Sequence, residues 1–349
     1  VVGDDPREFG HLPRAVVDPD AQADPLFPLG QRVDHDRLQL RHVEVAGPGF
    51  INLFLADQTI AGKDLGGTVP GRKPGELAVV FFDVKYGDGI LVQAPDNATT
   101  LIDGGEGQFP EAEEAPVYDW AYQLYIPLLN RIGLEKFKNF VSTVPYGHHM
   151  GVQTDLLANR KITVDNVYWT GYEANFSAHR RFRIHAERKA NFQVLEEGDA
   201  VDFGPGVRSR VLHARKDTKL KTHASRVLYL KYGNRSFLFA SDLPREEEEK
   251  LVLNWGKDIE SDVLKVGTHG SDDSSGDQFI QYVQPQHAVI SVPDKESNPL
   301  GAPHEPVIEN LENVDAEIYR TFKDGHVAFY TDGESLRVQR DAFSFLGSE

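Results

Sequence analysis

The chain has 349 residues, 40% of them hydrophobic and 26% charged, and a formal net charge of −17. That composition suits a globular protein with one large domain or two ordinary ones. No apolar run approaches the ~20 residues a membrane-spanning helix needs, the acid excess disfavours a broad nucleic-acid-binding surface, and the absence of cysteine removes disulfides and thiolate ligands.

Any metal would therefore be held by His, Asp or Glu, a donor set that suits zinc, manganese or iron. The chain opens on Val1, not Met, and shows no signal peptide, which reads as a processed or trimmed product. A soluble protein, cytoplasmic or secreted, is expected.

Residues 1–40 are rich in Asp and Pro without clean periodicity, and read as an extended arm. His42–Leu55 looks like a hairpin, two apolar runs around Gly47-Pro48-Gly49. Its run Phe50–Leu55 would be exposed unless covered, so this N-terminal extension is expected to pack on the body. Deleting residues 1–60 should then lower thermal stability and solubility, and a deletion with unchanged melting would refute the idea. Residues 56–75 read as a Gly-rich linker. This places the extension and linker at 1–75 and one domain at 76–349.

From Glu76 the texture is that of a packed domain. Leu77–Val84, Gly89–Ala94 and Thr99–Ile102 are β-type runs split by turn signals, and Asp103-Gly104-Gly105 ends the third. Tyr118–Ile132 has helical spacing. Phe137–Thr143 is a strand, followed by a loop, Val144–Gly151, that carries His148-His149. Gln153–Leu157 reads as a short helix, Asn166–Thr170 as a strand and Phe176–Asn191 as a basic amphipathic helix. Further β runs follow at Gln193–Leu195, Ala200–Phe203, Val207–His213 and Ser225–Tyr232.

The stretch 236–271 organises the rest. Ser236–Ala240 is apolar and ends in Ser241-Asp242. Pro244 and the acidic turn Glu246–Glu249 open a helix. Asp262–Val266 is apolar and ends in Gly267-Thr268-His269-Gly270-Ser271. An Asp and a His thus stand just past the ends of successive strands, where α/β proteins place their chemistry. The plainer roles are a helix cap for Asp242 and a loop hydrogen bond for His269. His213 ends another strand, as a further possible ligand or a plain hydrogen-bonder. Asp277–Val283 and Glu305–Leu311 read as helices and His287–Val292 as a strand. Ile318–Thr321, His326–Thr331 and Leu336–Gln339 read as a closing β meander. The order predicts an α/β (α+β) fold in which two sheets pack face to face between helices, a four-layer αββα sandwich.

Six phrases in this order resemble the metallo-β-lactamase fold, and within it the hydrolase-like domain of the ComEC competence proteins. They are FFDVKYGDGILVQAPDNATTLIDGG (81–105), VSTVPYGHHMGV (141–152), RSFLFASDL (235–243), SDVLKVGTHGS (261–271), AVISVPDKESNPLGAPHEPVIENL (288–311) and IYRTFKDGHVAF (318–329). Residues ~76–340 are covered; the first ~75 are not. The resemblance implies a metal loop of the form His-x-His-x-Asp-His, a later bridging Asp, and a metal-activated water that attacks an ester or phosphodiester.

Laid on this chain, the loop positions are Val144, Tyr146, His148 and His149, so two imidazoles are lost and one carboxylate is replaced. Asp242 matches the later Asp. Thr268-His269 and Ala302-Pro303-His304 each stand where the family has a further histidine. A normal dinuclear centre is not expected. The resemblance leaves His148, His149, Asp242 and His269 as ligands of one zinc or manganese ion, with Asp242 and His149 catalytic. Tyr146, Thr268, Ser271 and His304, at or beside the altered positions, would face a phosphodiester or other small-molecule ester. Occupancy of such a site should fall as pH drops through roughly 6–5, where ordinary imidazoles protonate. The alternative is a metal-free pseudoenzyme that uses the same fold in binding or recognition.

Overall fold

The computed structural model describes residues 40–45, 51–55, 66–107, 119–173, 177–215, 218–294, 298 and 301–343. The expected arm over 1–40 lies outside the described residues except for Leu40, as does the first half of the expected linker, 56–65. The chain divides into two compact units, Val1–Asp64 with Glu349 and Leu65–Ser348. In the first, β1 (Leu40–Val45) and β2 (Ile51–Leu55) pair antiparallel with Val43 opposite Leu53, matching the expected hairpin.

The larger unit begins earlier than the boundary expected at residue 75. Gly67 N–H donates to the Ile132 carbonyl at 2.8 Å and Val69 N–H to Gln93 Oε1 at 2.8 Å, and Val69 is buried. The glycines suggested a linker, but Val69 and Arg72 tie this segment to the sheet below it.

Two sheets build the unit. The eight-stranded one runs in the order β16 (Leu336–Gln339), β15 (Val327–Thr331), β3 (Leu77–Phe81), β4 (Gly89–Gln93), β5 (Thr99–Asp103), β6 (Lys136–Val141), β7 (Thr163–Trp169) and β8 (Asn191–Val194). The six-stranded one runs β14 (Glu317–Arg320), β13 (His287–Ile290), β12 (Val263–Lys265), β11 (Arg235–Phe239), β10 (Arg226–Tyr232) and β9 (Val207–Ala214). The expected closing meander is divided between the sheets: residues 317–320 pair in parallel with β13, while β15 and β16 extend the other sheet.

The strands read as unbroken apolar runs because both of their faces are covered. Side chains alternate, so Leu77, Val79 and Phe81 of β3 meet Phe237, Phe239 and Val263 between the sheets. Ala78 and Val80 instead face helices α1 (Ile126–Ile132), α2 (Gly147–Ala158) and α3 (Ser177–Lys189), through Leu128, Leu156 and Phe182. Leu238 and Leu264 of the other sheet face α4 (Arg245–Trp255), α5 (Asp277–Val283) and α6 (Glu305–Glu312), through Leu251, Ile280 and Val307. These three cores make the four-layer αββα sandwich.

Two local expectations fail for tertiary reasons. Ala200–Phe203 buries Val201 and Phe203 but is not a strand, because the Ser209 hydroxyl takes the Val201 N–H at 2.8 Å and bonds its carbonyl at 2.7 Å. Helix α2 starts at Gly147 rather than near residue 153, so His148 and His149 lie in its first turn, not in a loop. Gly151 weakens the local helix signal. It is required there because a Cβ would stand 2.2 Å from the backbone nitrogen of Gly107.

Candidate metal centre

The parallel strands of both sheets deliver their carboxyl ends to one crevice, the place where α/β folds collect functional groups. Asp103 ends β5. The turn after β6 leads into His148 and His149. Ser241-Asp242 follow β11, and His269 follows β12. Asp103, Ser241, Thr268 and His269 all have positive φ, between 43° and 54°. Non-glycine residues held this way cost of order 1–3 kcal/mol each and concentrate at functional sites.

His148, His149, Asp242 and His269 each offer a ligand atom within 4.8 Å of the others. His149 Nε2 lies 3.2 Å from Asp242 Oδ2, and His269 Nε2 lies 3.7 Å from Asp242 Oδ1. Second partners fix how the imidazoles face. His149 Nδ1 is 3.0 Å from Asp103 Oδ2, and His269 Nδ1 is 3.0 Å from the Ser291 carbonyl. With Nδ1–H donating outward in each case, both Nε2 atoms face Asp242. This is how metal-ligating histidines are normally oriented. Asp103 is itself held by the Thr143 hydroxyl at 2.5 Å and the Thr143 N–H at 2.8 Å.

The charges are mutually arranged. Burial alone would lower His149, but Asp242 and Asp103 on its two sides outweigh burial and raise it to about 10. Burial opposes ionisation of Asp242, yet His149, His269 and Lys265 hold its carboxyl well below the usual range. Burial pushes His148 well down, reinforced by His149, and likewise lowers His269. Near neutral pH the metal-free site is thus one imidazolium, two neutral imidazoles and a carboxylate. His269 Nε2 and Asp242 Oδ1 are buried without a hydrogen-bond partner, beside the ion pair of His149 Nε2 with Asp242 Oδ2. Groups orphaned together in this way fit a divalent cation, and their N/O chemistry suits zinc or manganese.

A second cluster, Asp88, Asp103 and His149, lies behind the first. Asp88 was legible only as part of a turn. Its carboxylate is buried 3.8 Å from His149 Nδ1 and 3.6 Å from His269 Nδ1. The ammonium of Lys265 pairs with it and sits 3.5 Å from the Ser241 carbonyl. Lys265 is both buried and paired. The Lys265 ammonium and the His149 Nδ1–H both face this cluster, in which Asp88 Oδ1 is buried without a hydrogen-bond partner. Lys265→Met should destabilise the protein by about 3–5 kcal/mol, as an unpaired buried carboxylate does. Lys265→Met with Asp88→Asn should recover much of the loss. Urea unfolding of both variants checks this, and a single variant as stable as wild type would contradict it.

Gly87 shows how tightly the turn closes on the site: a Cβ there would stand 1.8 Å from the His148 carbonyl oxygen. Tyr86, in the same turn, lies 4.6 Å from the His148 ring and 5.3 Å from that of His269.

The residues expected to face substrate divide. Tyr146 stacks on His148 at 5.2 Å. Thr268 N–H donates to the Ser241 carbonyl at 3.0 Å, and its buried hydroxyl has no partner. Ser271 Oγ and His304 Nδ1 instead meet Asp273 at 3.5 Å and Asp272 at 2.8 Å. His213 is not brought to the metal cluster: it bonds the Ser225 carbonyl at 2.8 Å and lies 3.3 Å from Glu247, which His223, Arg215 and Lys250 also hold. The basic face of α3 is partly spent on acids, with Arg183 on Glu173 and Glu187 and Arg181 near Asp155.

No family model matches the chain. It is similar to ComE operon protein 3 of Bacillus subtilis, 28% identical over 260 residues, covering 73% of this chain and 33% of that protein. It is also similar to Recombination protein 2 of Haemophilus influenzae, 30% identical over 225 residues, covering 63% and 26%. The chain thus spans about a third or less of these relatives. Among solved structures, the metallo-β-lactamase fold protein YhfI of Bacillus subtilis aligns with a TM-score of 0.44 at 12% identity, over 70% of this chain and 96% of that one. Among the described residues, no helix is long and apolar enough to cross a membrane.

Proposed function

We propose, from the premise that this chain is a metallo-β-lactamase-fold relative of the ComE competence proteins, that it is a metal-dependent hydrolase of phosphodiesters or related esters. One divalent ion, zinc or manganese, would be held by His148, His149, Asp242 and His269. The observation that carries this reading is the convergence of ligand atoms of His148, His149, Asp242 and His269 within 4.8 Å of one another, the last three residues buried. The names of the relatives, competence and recombination proteins, put DNA phosphodiesters among the substrates to test.

Such an ion supplies Lewis-acid polarisation and an acidified water nucleophile. The chain's own residues do the rest. Asp103 and the Ser291 carbonyl hold two imidazoles with Nε2 facing inward. Asp242 stays ionised, so its carboxylate would be available as a ligand. Asp88 and Lys265 keep the floor of the site at fixed charge. Tyr86 and Tyr146 remain protonated, because burial raises both phenols, and they act as donors beside His148.

A second reading is a pseudoenzyme acting in recognition. It is favoured by Val144, fully buried where the family carries a histidine, and by Tyr146 at the next such position. Elemental analysis of the purified chain separates the two. About one tightly held metal per chain supports the hydrolase; none after incubation with excess zinc and manganese supports the pseudoenzyme.

A further inference from the structure

Helix α3 has two charged flanks. On one, Arg183 is spent on Glu173 and Glu187. The other follows the helical spacing and carries Arg181, His185, Arg188 and Lys189. This flank lies against α2. Arg181 Nη2 is 3.7 Å from Asp155, and Lys189 Nζ donates to the Leu157 carbonyl at 2.9 Å and to the Asn159 carbonyl. Arg160 and Lys161 follow Asn159 directly, so they meet the end of α3. Burial lowers His185, and Arg181, Arg188 and Lys189 lower it further, as positive charges gathered around one imidazole do. The side chains of Arg160, Lys161 and Arg188 are exposed, and among the described residues none of them makes an ion pair or hydrogen bond. A chain of net charge −17 thus carries a strip of unneutralised cations at this place.

Guanidinium forks match the oxygens of a phosphate. A lipid surface would also require an exposed apolar face, but Ala178, Phe182 and Ala186 of α3 are buried in the core. Helix α2 leads from the strip to the crevice, with His149 in its first turn and Asn159 just past its last. At 1.5 Å per residue that is about 15 Å, or roughly four to five nucleotides at the spacing of one duplex strand. A polymer of phosphodiesters can span that distance; a small ester cannot.

We propose that Arg160, Lys161 and Arg188 form an accessory surface that binds the sugar-phosphate backbone of a nucleic acid, apart from the metal centre. This deepens the phosphodiester reading above and rests on it, but it is tested without turnover. The probe is a fluorescein-labelled single-stranded DNA of about 20 nucleotides. Its anisotropy is followed with the full chain, metal-free and zinc-loaded, from about 50 to 200 mM salt. The variants are Arg160→Gln with Lys161→Gln, and the same pair with Arg188→Gln. Lys257→Gln with Lys323→Gln, two exposed lysines elsewhere, is the control for net charge.

The triple variant should bind about tenfold more weakly or worse, and its slope of log affinity against log salt should be shallower by about 2. The double variant should fall between it and wild type, and the lysine control should match wild type. Equal affinity in wild type and the triple variant overturns the proposal. So does an equal loss in the control, which would make the effect one of net charge. A wild type that leaves the oligonucleotide free but sediments with phosphatidylserine vesicles overturns it in favour of a membrane surface. A wild type that takes up no metal and cleaves no ester defeats the hydrolase reading, while strip-dependent binding of the oligonucleotide would still uphold this inference.

Discussion

His149→Ala is expected to abolish metal binding and hydrolysis together, and to destabilise the metal-free protein by about 3–5 kcal/mol. His149 is the member common to both carboxylate clusters. It is fully buried, with Asp103 on one ring nitrogen at 3.0 Å and Asp242 on the other at 3.2 Å. Its removal takes one ligand from the site and leaves two buried carboxylates without their shared cation. Metal content after incubation with excess zinc and manganese, measured beside wild type, tests the first part, and urea unfolding of both metal-free proteins tests the second. A variant that holds as much metal as wild type would show that the site lies elsewhere. A wild type that takes up none would sink the hydrolase reading.

Stability of the metal-free chain should fall as pH rises from about 6.5 to about 10. The ordinary imidazole value is 6.5, and in the fold His149 is raised to about 10. A group raised on folding stabilises fully below its unfolded value and loses that contribution as pH climbs through the folded one. The span corresponds to about 5 kcal/mol at most. Asp242, depressed in the fold, expresses the same attraction from the other side. Its contribution is present above the ordinary carboxylate range and is lost as pH falls below it, so the two are not additive.

Metal uptake shows the opposite trend. A proton must leave His149 Nε2 before an ion can bind there, so affinity should rise by about tenfold per pH unit until pH approaches 10. Ordinary imidazoles would have put this dependence near pH 6–5; the two flanking carboxylates move it upward. Urea midpoints of chelator-treated protein at pH 6, 8 and 10 check the first trend. Midpoints that do not change over that range would contradict it.

The fold was legible because its signals are local. An apolar run such as Leu77–Phe81, buried on both faces, cannot be an exposed strand. Alternating strands and helices, with turn residues between them, leave few ways to cover such runs. Asp242 and His269 were legible for a related reason: polar residues just past apolar strands project into the crevice whatever the rest of the chain does. His148 and His149 were found as residues but assigned to a loop. Gly147 and Gly151 flank them and weaken the helix signal; at Gly151 the propensity cost is outweighed by close approach to Gly107.

By itself, then, the sequence determined the layered architecture and the placing of Asp242 and His269 just past strand ends, but not the division of the closing strands between the two sheets. What it left open is who partners whom. Asp88 read as a turn residue and is the buried counter-ion of Lys265. His213 read as a possible ligand and belongs to the group around Glu247. Lys221 carries no local signal and sits on Tyr146. Each pairing joins segments far apart in the chain, so it exists only once the two sheets have packed. The same packing decides which ring nitrogen of His149 and of His269 faces inward, because Asp103 and the Ser291 carbonyl arrive from different strands. Strand ends and hydrophobic period are properties of a few adjacent residues. Tautomer, charge state and ion pairing depend on burial and on distant neighbours, and only the tertiary structure supplies both.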